Sequence, residues 1–259
     1  MTVTRRRSGI SLPGGVVTLL LGCLAWQVLA NYGVTARLLS SPWDIGTAIV
    51  TLQVARSPQL YVHILSSMLR TLIATGLGVA LGFGLGLFAA RRAPYLISLM
   101  AFIAAIPGLI WLQMSLLVVG FGDRSVILVG TLMAITPMMT HTEKGVTTVR
   151  REFDWSARLM GADVATRRYE VLLMAALPSL LTGFRMAFAR AWRAVLVAEY
   201  VGGVATGLGL VVLTARDVTN VDIIYAGLLL MGAIFFFIER WAIRPLEDEI
   251  AQKWGHVPP

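Results

Sequence analysis

The chain has 259 residues, of which 57% are apolar and 14% are charged, whereas soluble domains average about 25% charged residues. This composition indicates a membrane protein and excludes an ordinary soluble domain, because apolar surface that faces lipid need not be buried. The net charge of +8 is spread over short links between apolar runs, which favours contact with anionic lipid over nucleic acid. The single cysteine, Cys23, excludes a disulfide framework.

Six apolar runs follow one another along the chain, most of them near the ~20 residues that cross a bilayer. They cover about 16–30, 67–90, 96–119, 125–139, 180–201 and 223–241. In the second run, Gly82 and Gly86 have the spacing with which two helices approach closely in lipid. We predict an all-α integral membrane protein of about six transmembrane helices. A segment 1–15 precedes one transmembrane domain, 16–241, and a tail, 242–259, follows it.

The basic residues are distributed unevenly between the two sides of this arrangement. With the N-terminus inside, fourteen of the 22 Lys and Arg residues lie on inner segments and four lie on outer segments. The other four lie within spans or at their edges. Because Lys and Arg concentrate in cytoplasmic loops, both termini and the long link at about 141–176 are predicted to be cytoplasmic.

The long link contains two turn signals that predict a helical hairpin. Asp154 is predicted to cap a helix over 155–160, and Gly161 to end that helix in a left-handed conformation. Asp163 is predicted to cap a second helix that runs through Glu170 to the residue before Pro178. On these residues alone, the hairpin is either an interfacial amphipathic pair or a specific contact surface.

The same link resembles the EAA loop of ABC importer permeases. In that family three residues separate a Glu-Ala-Ala triplet from a glycine. An aliphatic residue and then Leu-Pro follow further along the chain. The segment Ala157-Arg158-Leu159-Met160-Gly161-Ala162 and the later Val171 and Leu173 match the pattern in order. Trp155 stands at the glutamate position with Ser156 next to it, and Met174 stands at the proline position.

Three further segments resemble the nitrate/sulfonate/taurine branch of these permeases. They are 63–70, Ala191-Trp192-Arg193 with Ala198-Glu199, and Gly207-Leu208-Gly209. The resemblance covers roughly 35–254 and implies a type I ABC importer permease in a bacterial inner membrane. Its solute would be a small anion or polar organic molecule: sulfonate, taurine, nitrate, bicarbonate or a pyrimidine-like compound.

The resemblance also implies partners and site residues. The partners are a cytoplasmic ABC ATPase dimer, a second permease subunit, an extracytoplasmic substrate-binding protein and membrane lipid. A homodimer is favoured over pairing with a different permease, because Glu152 and Asp154 keep acidic charge at the coupling helix. The residues implied to contact the ATPase are Trp155, Ser156, Ala157, Met160, Gly161 and Ala162, and those implied to support them are Glu152, Asp154, Asp163, Leu173 and Pro178.

The chain itself has no P-loop for ATP, so ATP and Mg are expected on the partner ATPase and the chain is not predicted to be an enzyme. Charged residues in spans mark functional sites by default. Arg70, Arg190, Arg193 and Glu199 are therefore assigned to the translocation pathway or its gate, and Arg70 is a candidate partner for Glu199. Arg185, near the inner end of its span, is expected to snorkel.

Two rival functions find no support in the sequence. A stand-alone secondary transporter or channel would need acidic residues at span centres or inverted repeats, and neither is found. A membrane enzyme would need a catalytic cluster, whereas His63, His141 and His256 are widely scattered. No metal site is predicted.

Overall fold

A computed structural model describes residues 12–32, 39–54, 59–148, 151–166 and 171–253, which form helices joined by short connections. The helices are α1 (Leu12–Tyr32), α2 (Pro42–Val54), α3 (Leu60–Arg92), α4 (Tyr95–Ala105), α5 (Gly108–Val119), α6 (Asp123–Thr147), α7 (Arg151–Leu159), the short turn α8 (Val164–Thr166), α9 (Leu173–Val201), α10 (Leu208–Asp217), α11 (Val221–Ile238) and α12 (Arg244–Lys253). A π-helical turn, Glu239–Ile243, joins α11 to α12.

The central packing unit is formed by α3, α6 and α9, which bury small residues against one another. A Cβ atom added to Gly82 would lie 2.6 Å from the carbonyl oxygen of Ile135, and one added to Gly86 would lie 2.7 Å from that of Met139. Only glycine lets the two backbones come this close. The close helix approach predicted from the spacing of these two glycines is confirmed for α3 and α6.

A second apolar layer connects α2, α10 and α11 to the central unit. Its buried residues include Trp192 of α9, Leu208 of α10 and Ile223 of α11. The first helix joins this layer through Trp26, whose indole N–H donates to the backbone oxygen of Ser40 at 3.0 Å. One face of α9 thus packs on α3 and α6, and the C-terminal helices pack beside α9.

In the part of the chain that the structure describes, three helical segments are long and apolar enough to cross a membrane: α3, α6 and the continuous stretch Val221–Ile250. The pair α4 and α5 raises this to four if it counts as one span. Two further predicted spans correspond to α1 and α9. The apolar part of α1, Leu20–Asn31, is short, and α9 carries Arg185, Arg190, Arg193 and Glu199 along its length.

The predicted span at 96–119 is not one continuous helix, because it divides into α4 and α5, which meet at 91°. Ile106 and Pro107 lie at the break, and Ile106 has an extended backbone with ψ of 125°. A proline ring disfavours the helical conformation in the residue before it, so α4 ends there and a new helix begins after it. The sequence Ile106-Pro107-Gly108 carried this signal.

Candidate functional site

The helix α7 ends in a rigid turn at Gly161. The N–H of Ala162 donates to the carbonyl of Ala157, and the N–H of Gly161 donates to that of Arg158, both at 3.0 Å. This pair of bonds is the Schellman arrangement, which requires a left-handed residue. Gly161 supplies that conformation with φ of 78°. The predicted left-handed helix end at Gly161 is confirmed.

The tip of α7 presents three large apolar side chains to the outside of the chain. Trp155 is 65% exposed, Leu159 is 90% exposed and Met160 is 80% exposed. Ser156 is also exposed, whereas Ala157 is buried and Ala162 is half-buried. Sequence reasoning missed Leu159, although its place one residue before Met160 in an amphipathic helix was the available signal. We call Trp155, Leu159 and Met160 the α7 patch.

The acidic residues around α7 are placed differently from the prediction. Asp154 lies inside α7, which begins at Arg151, so its predicted role as the N-cap is wrong. Glu152 lies in the same helix, and the side chains of both residues fall outside the described part. Asp163 does cap the short turn that follows, since its Oδ1 accepts from the N–H of Thr166 at 3.0 Å. Glu170 lies outside the described residues.

The helix α9, which follows the loop, begins before the predicted span start at about 180, and Pro178 does not end a helix as predicted. Leu173 is the first residue of α9, and Pro178 lies inside that helix. The helices α6 and α9 thus extend into both ends of the predicted loop and leave 148–172 between them. Proline is tolerated within transmembrane helices because neighbouring groups satisfy the freed backbone carbonyl. Here Pro178 deprives the carbonyl of Met174 of its usual partner.

At the opposite end of the bundle, Arg70 and Glu199 form a buried ion pair. Nη1 of Arg70 donates to Oε1 of Glu199 at 2.6 Å and to the backbone oxygen of Thr206 at the same distance. The Nε and Nη2 atoms of Arg70 donate to Oδ1 of Asp123, at 3.2 and 2.8 Å. Glu199 is 1% exposed, whereas the side chain of Asp123 is 62% exposed. The suggested contact between Arg70 and Glu199 is present.

The turn 202–207 and the start of α10 close over Glu199. Its Oε2 atom accepts from Ser67 Oγ at 2.7 Å and from the N–H of Gly209 at 3.2 Å. A Cβ atom added to Gly207, which has φ of 150°, would lie 2.5 Å from the carboxylate carbon of Glu199. The N–H of Gly207 donates to Nδ1 of His63 at 3.0 Å. Sequence reasoning matched this glycine pair to a family motif but missed its contact with Glu199.

Arg190 and Arg193 lie on the face of α9 that the other described helices leave uncovered. The exposed positions of this face recur every three or four residues, and we call them the α9 stripe: Met186, Arg190, Arg193, Val197 and Val201. Two cavities border the stripe. One, of about 310 Å³, lies against α5 and α6, and the other, of about 610 Å³, lies against α11 and the π-helical turn. Arg190 and Arg193 line both cavities.

Arg185 lies near the beginning of α9 and pairs with two glutamates rather than with lipid alone. It donates to Glu239 of the π-helical turn and, at 3.2 Å, to Glu247 of α12. These contacts attach α12 to α9. Among the residues that the structure describes, no group of three or more His, Cys, Asp and Glu side chains could hold a metal ion.

A helical membrane bundle with a short, glycine-terminated helix and an exposed apolar patch at one end has the features of a transporter subunit that works with partners. The family of binding-protein-dependent transport system inner membrane components matches residues 76–242. Since this match covers well over half of the chain, the protein belongs to that family. It is an ABC importer permease, and ATP hydrolysis in such importers belongs to a separate ATPase subunit.

Curated relatives place the chain in the nitrate/sulfonate/taurine branch of these importers. It is 27% identical over 250 residues to SsuC of Bacillus subtilis (strain 168), a permease named for aliphatic sulfonate transport, across 95% of this chain and 87% of that one. It is 26% identical over 254 residues to the taurine transport system permease TauC of Escherichia coli (strain K12), across 93% and 91%.

Among solved structures, the fold matches a chain of the MetNI methionine ABC transporter in an inward-facing conformation. The TM-score is 0.64 at 18% identity, and the match covers 75% of this chain and 99% of that chain. At this identity the likeness shows the fold alone. The fold is the predicted type I permease fold. The family assignment also decides against the stand-alone transporter or channel.

Proposed function

We propose that the chain forms the translocation pathway for a small solute that carries an anionic group, with sulfonates as the first candidates. SsuC is named for aliphatic sulfonates and TauC for taurine, and taurine also carries a sulfonate group. The two exposed arginines of the α9 stripe, Arg190 and Arg193, suit a solute of negative charge. Nitrate, bicarbonate and pyrimidine-like solutes are the remaining candidates of the branch.

The observation that carries the coupling part of the proposal is the α7 patch. Its three apolar side chains are exposed together, and α7 packs only sparsely against the other described helices. Exposed apolar surface of this kind indicates a partner. We infer that the partner is the ABC ATPase dimer, which holds ATP and Mg, while this chain binds neither.

The α9 stripe supports a second copy of this chain as the partner within the membrane. Its apolar members, Met186, Val197 and Val201, are 42–46% exposed, and the central packing unit leaves them uncovered. In a symmetric dimer the same patch meets itself, so one stripe on each copy would line a shared pathway. A different permease in the second position is the alternative.

The orientation of the permease follows from the excess of basic residues on one side. We propose that both termini, the loop around α7 and the ATPase lie on the cytoplasmic side, in contact with anionic lipid. The Arg70–Glu199 pair and the turn 202–207 then lie at the outer end, where the substrate-binding protein docks. In this arrangement the pair belongs to the outer gate of the pathway.

The experiment is reconstitution of the permease with its ATPase and binding protein, using no other permease chain. We expect a complex of two permease and two ATPase chains. It should take up ethanesulfonate or taurine when ATP is in the liposome lumen and the binding protein is outside. A complex that assembles only with a second kind of permease would refute the homodimer. Uptake of neutral pyrimidines, with none of any anion, would refute the proposed solute class.

A further inference from the structure

The two cavities beside α9 meet at the same pair of side chains. The smaller cavity is lined by residues of α5, α6 and α9, and the larger one by residues of α9, α11 and the π-helical turn. Their volumes, about 310 and 610 Å³, fall within the range of about 300–1,000 Å³ that is usual for small-molecule pockets. Arg190 and Arg193 therefore face space that is large enough for a small solute.

No carboxylate in the described part of the chain balances the charge of these two arginines. No acidic residue of the described segments lines the smaller cavity. Among the described residues, the only carboxylate that lines the larger one is Glu239, and it is paired with Arg185. Arg193 donates to the backbone oxygen of Ala189 at 3.0 Å, and Arg190 has no hydrogen bond or ion pair with any residue in the described part of the chain.

The remaining walls make this imbalance significant. Leu109, Leu112, Val129 and Met133 line the smaller cavity, and Trp192, Leu196, Met231 and Phe235 line the larger one. Charge in such apolar surroundings is costly unless an opposite charge joins it. A bound anion would supply the opposite charge, and the planar guanidinium fork matches the oxygens of sulfonate or carboxylate.

The break between α4 and α5 adds a second source of positive potential to the smaller cavity. Pro107, Gly108 and Leu109 line it, and they are the residues at which α5 begins. The N–H groups of a first helical turn have no partner within their own helix and favour negative charge. This feature supports the arginine pair and does not by itself define a site.

We propose that Arg190 and Arg193 form an anion-recognition site that binds the oxyanion group of the transported solute between the two cavities. The proposal rests on the proposed function, since it identifies which groups of the pathway select the solute. It goes beyond a gate, because recognition uses two guanidinium groups that no carboxylate in the described part of the chain neutralises. A lipid phosphate has the same chemistry and is the competing occupant.

The test measures the local preference for anions at a cysteine placed beside the pair. Val197 lines the smaller cavity and is part of the α9 stripe, so Val197→Cys in a Cys23→Ser background reports on that space. The complex is labelled with methanethiosulfonate reagents that carry either an ethylsulfonate or an ethyltrimethylammonium group. We expect the sulfonate reagent to react faster. The double variant Arg190→Gln, Arg193→Gln should lower the ratio of the two rates by about tenfold or more, because each charge-assisted hydrogen bond is strong.

Free ethanesulfonate should slow the labelling in the parent and not in the glutamine variant, whereas ethylammonium should protect neither. Arg124→Gln is the control for loss of a positive charge elsewhere, because Arg124 is exposed and lines neither cavity. It should leave the ratio unchanged. If the glutamine variant does not assemble, Arg190→Lys, Arg193→Lys keeps both charges and should retain the preference for the anionic reagent while protection by ethanesulfonate weakens.

Two results would overturn the proposal. One is an equal rate ratio in the parent and in the glutamine variant. The other is a labelling rate that falls as phosphatidylglycerol is added to phosphatidylcholine liposomes but does not fall when ethanesulfonate is added. That result would assign the arginines to a lipid headgroup. Solute uptake measured on the same complex separates failure of the anion-recognition site from failure of the proposed transport function. An unchanged ratio in a complex that imports ethanesulfonate refutes this site, whereas intact protection without uptake of any anion refutes the proposed function.

Discussion

Arg70 and Glu199 lie on different helices, α3 and α9, and their buried ion pair joins the two helices at 2.6 Å. The same guanidinium holds Asp123 at the start of α6, at 2.8 Å. One arginine side chain thus connects all three helices of the central packing unit. The two carboxylates differ in environment, because the side chain of Glu199 is fully buried and that of Asp123 is mostly exposed.

This difference predicts unequal effects of two matched substitutions. Removing one partner of a buried pair leaves an uncompensated charge and costs about 3–5 kcal/mol, whereas an exposed pair contributes about 0–1 kcal/mol. Glu199→Ala should therefore destabilise the detergent-solubilised permease far more than Asp123→Ala does. Unfolding temperatures of the two variants, measured side by side, provide the comparison. Equal losses would show that Glu199 is not the dominant partner of Arg70.

Gly207 is predicted to be irreplaceable where it contacts Glu199. A Cβ atom there would overlap the carboxylate, and φ of 150° disfavours any other residue. Gly207→Ala should lower thermal stability and displace the turn 202–207. Gly84→Ala is the control, since nothing lies within 4 Å of its added Cβ atom. A Gly207→Ala protein as stable as the Gly84→Ala protein would contradict the packing around Glu199.

Gly161 tests whether the rigid end of α7 transmits motion. Valine disfavours the φ of 78° found there, while asparagine tolerates a left-handed conformation. We expect Gly161→Val to assemble with the ATPase but to lose solute uptake in liposomes, and Gly161→Asn to retain much of it. Normal uptake by the valine variant would remove Gly161 from the coupling mechanism.

The orientation is tested with single cysteines at two exposed positions in a Cys23→Ser background. Lys144, near the end of α6, is predicted to be cytoplasmic, and Arg124, at its start, is predicted to lie outside. In intact cells, an impermeant thiol reagent should label Arg124→Cys and not Lys144→Cys. The reverse pattern would invert the topology.

The parts of the fold that followed from sequence are those with a local physical cause. The turn at Gly161, the cap at Asp163 and the approach of α3 to α6 each depend on a residue type with few alternatives. The pairing of Arg70 with Glu199 was accessible as well, because a buried charge needs a partner. Its other partners, Ser67, Thr206 and Gly209, come from distant parts of the chain and carried no comparable signal.

The errors came from prolines and from helix boundaries. Pro107 ends a helix and breaks a predicted span, whereas Pro178 lies inside α9 without ending it. The same residue type has opposite outcomes because tertiary packing decides whether a freed carbonyl is satisfied. Asp154 was predicted to cap α7, but that helix begins at Arg151. The smaller cavity beside α9 is lined by residues at the α4–α5 break, and it was not visible in the sequence.

The ATPase is proposed to dock on the α7 patch, and the most direct test of this docking is Trp155→Ala. Trp43→Ala is the matched control, since Trp43 is also largely exposed but lies on α2. The measurement is the ATPase-to-permease ratio after co-purification from detergent, with the folding of each permease checked by size-exclusion chromatography. We predict that Trp155→Ala loses most of the bound ATPase while remaining folded, and that Trp43→Ala retains it. Full retention by a folded Trp155→Ala permease would contradict the assignment of α7 as the coupling helix.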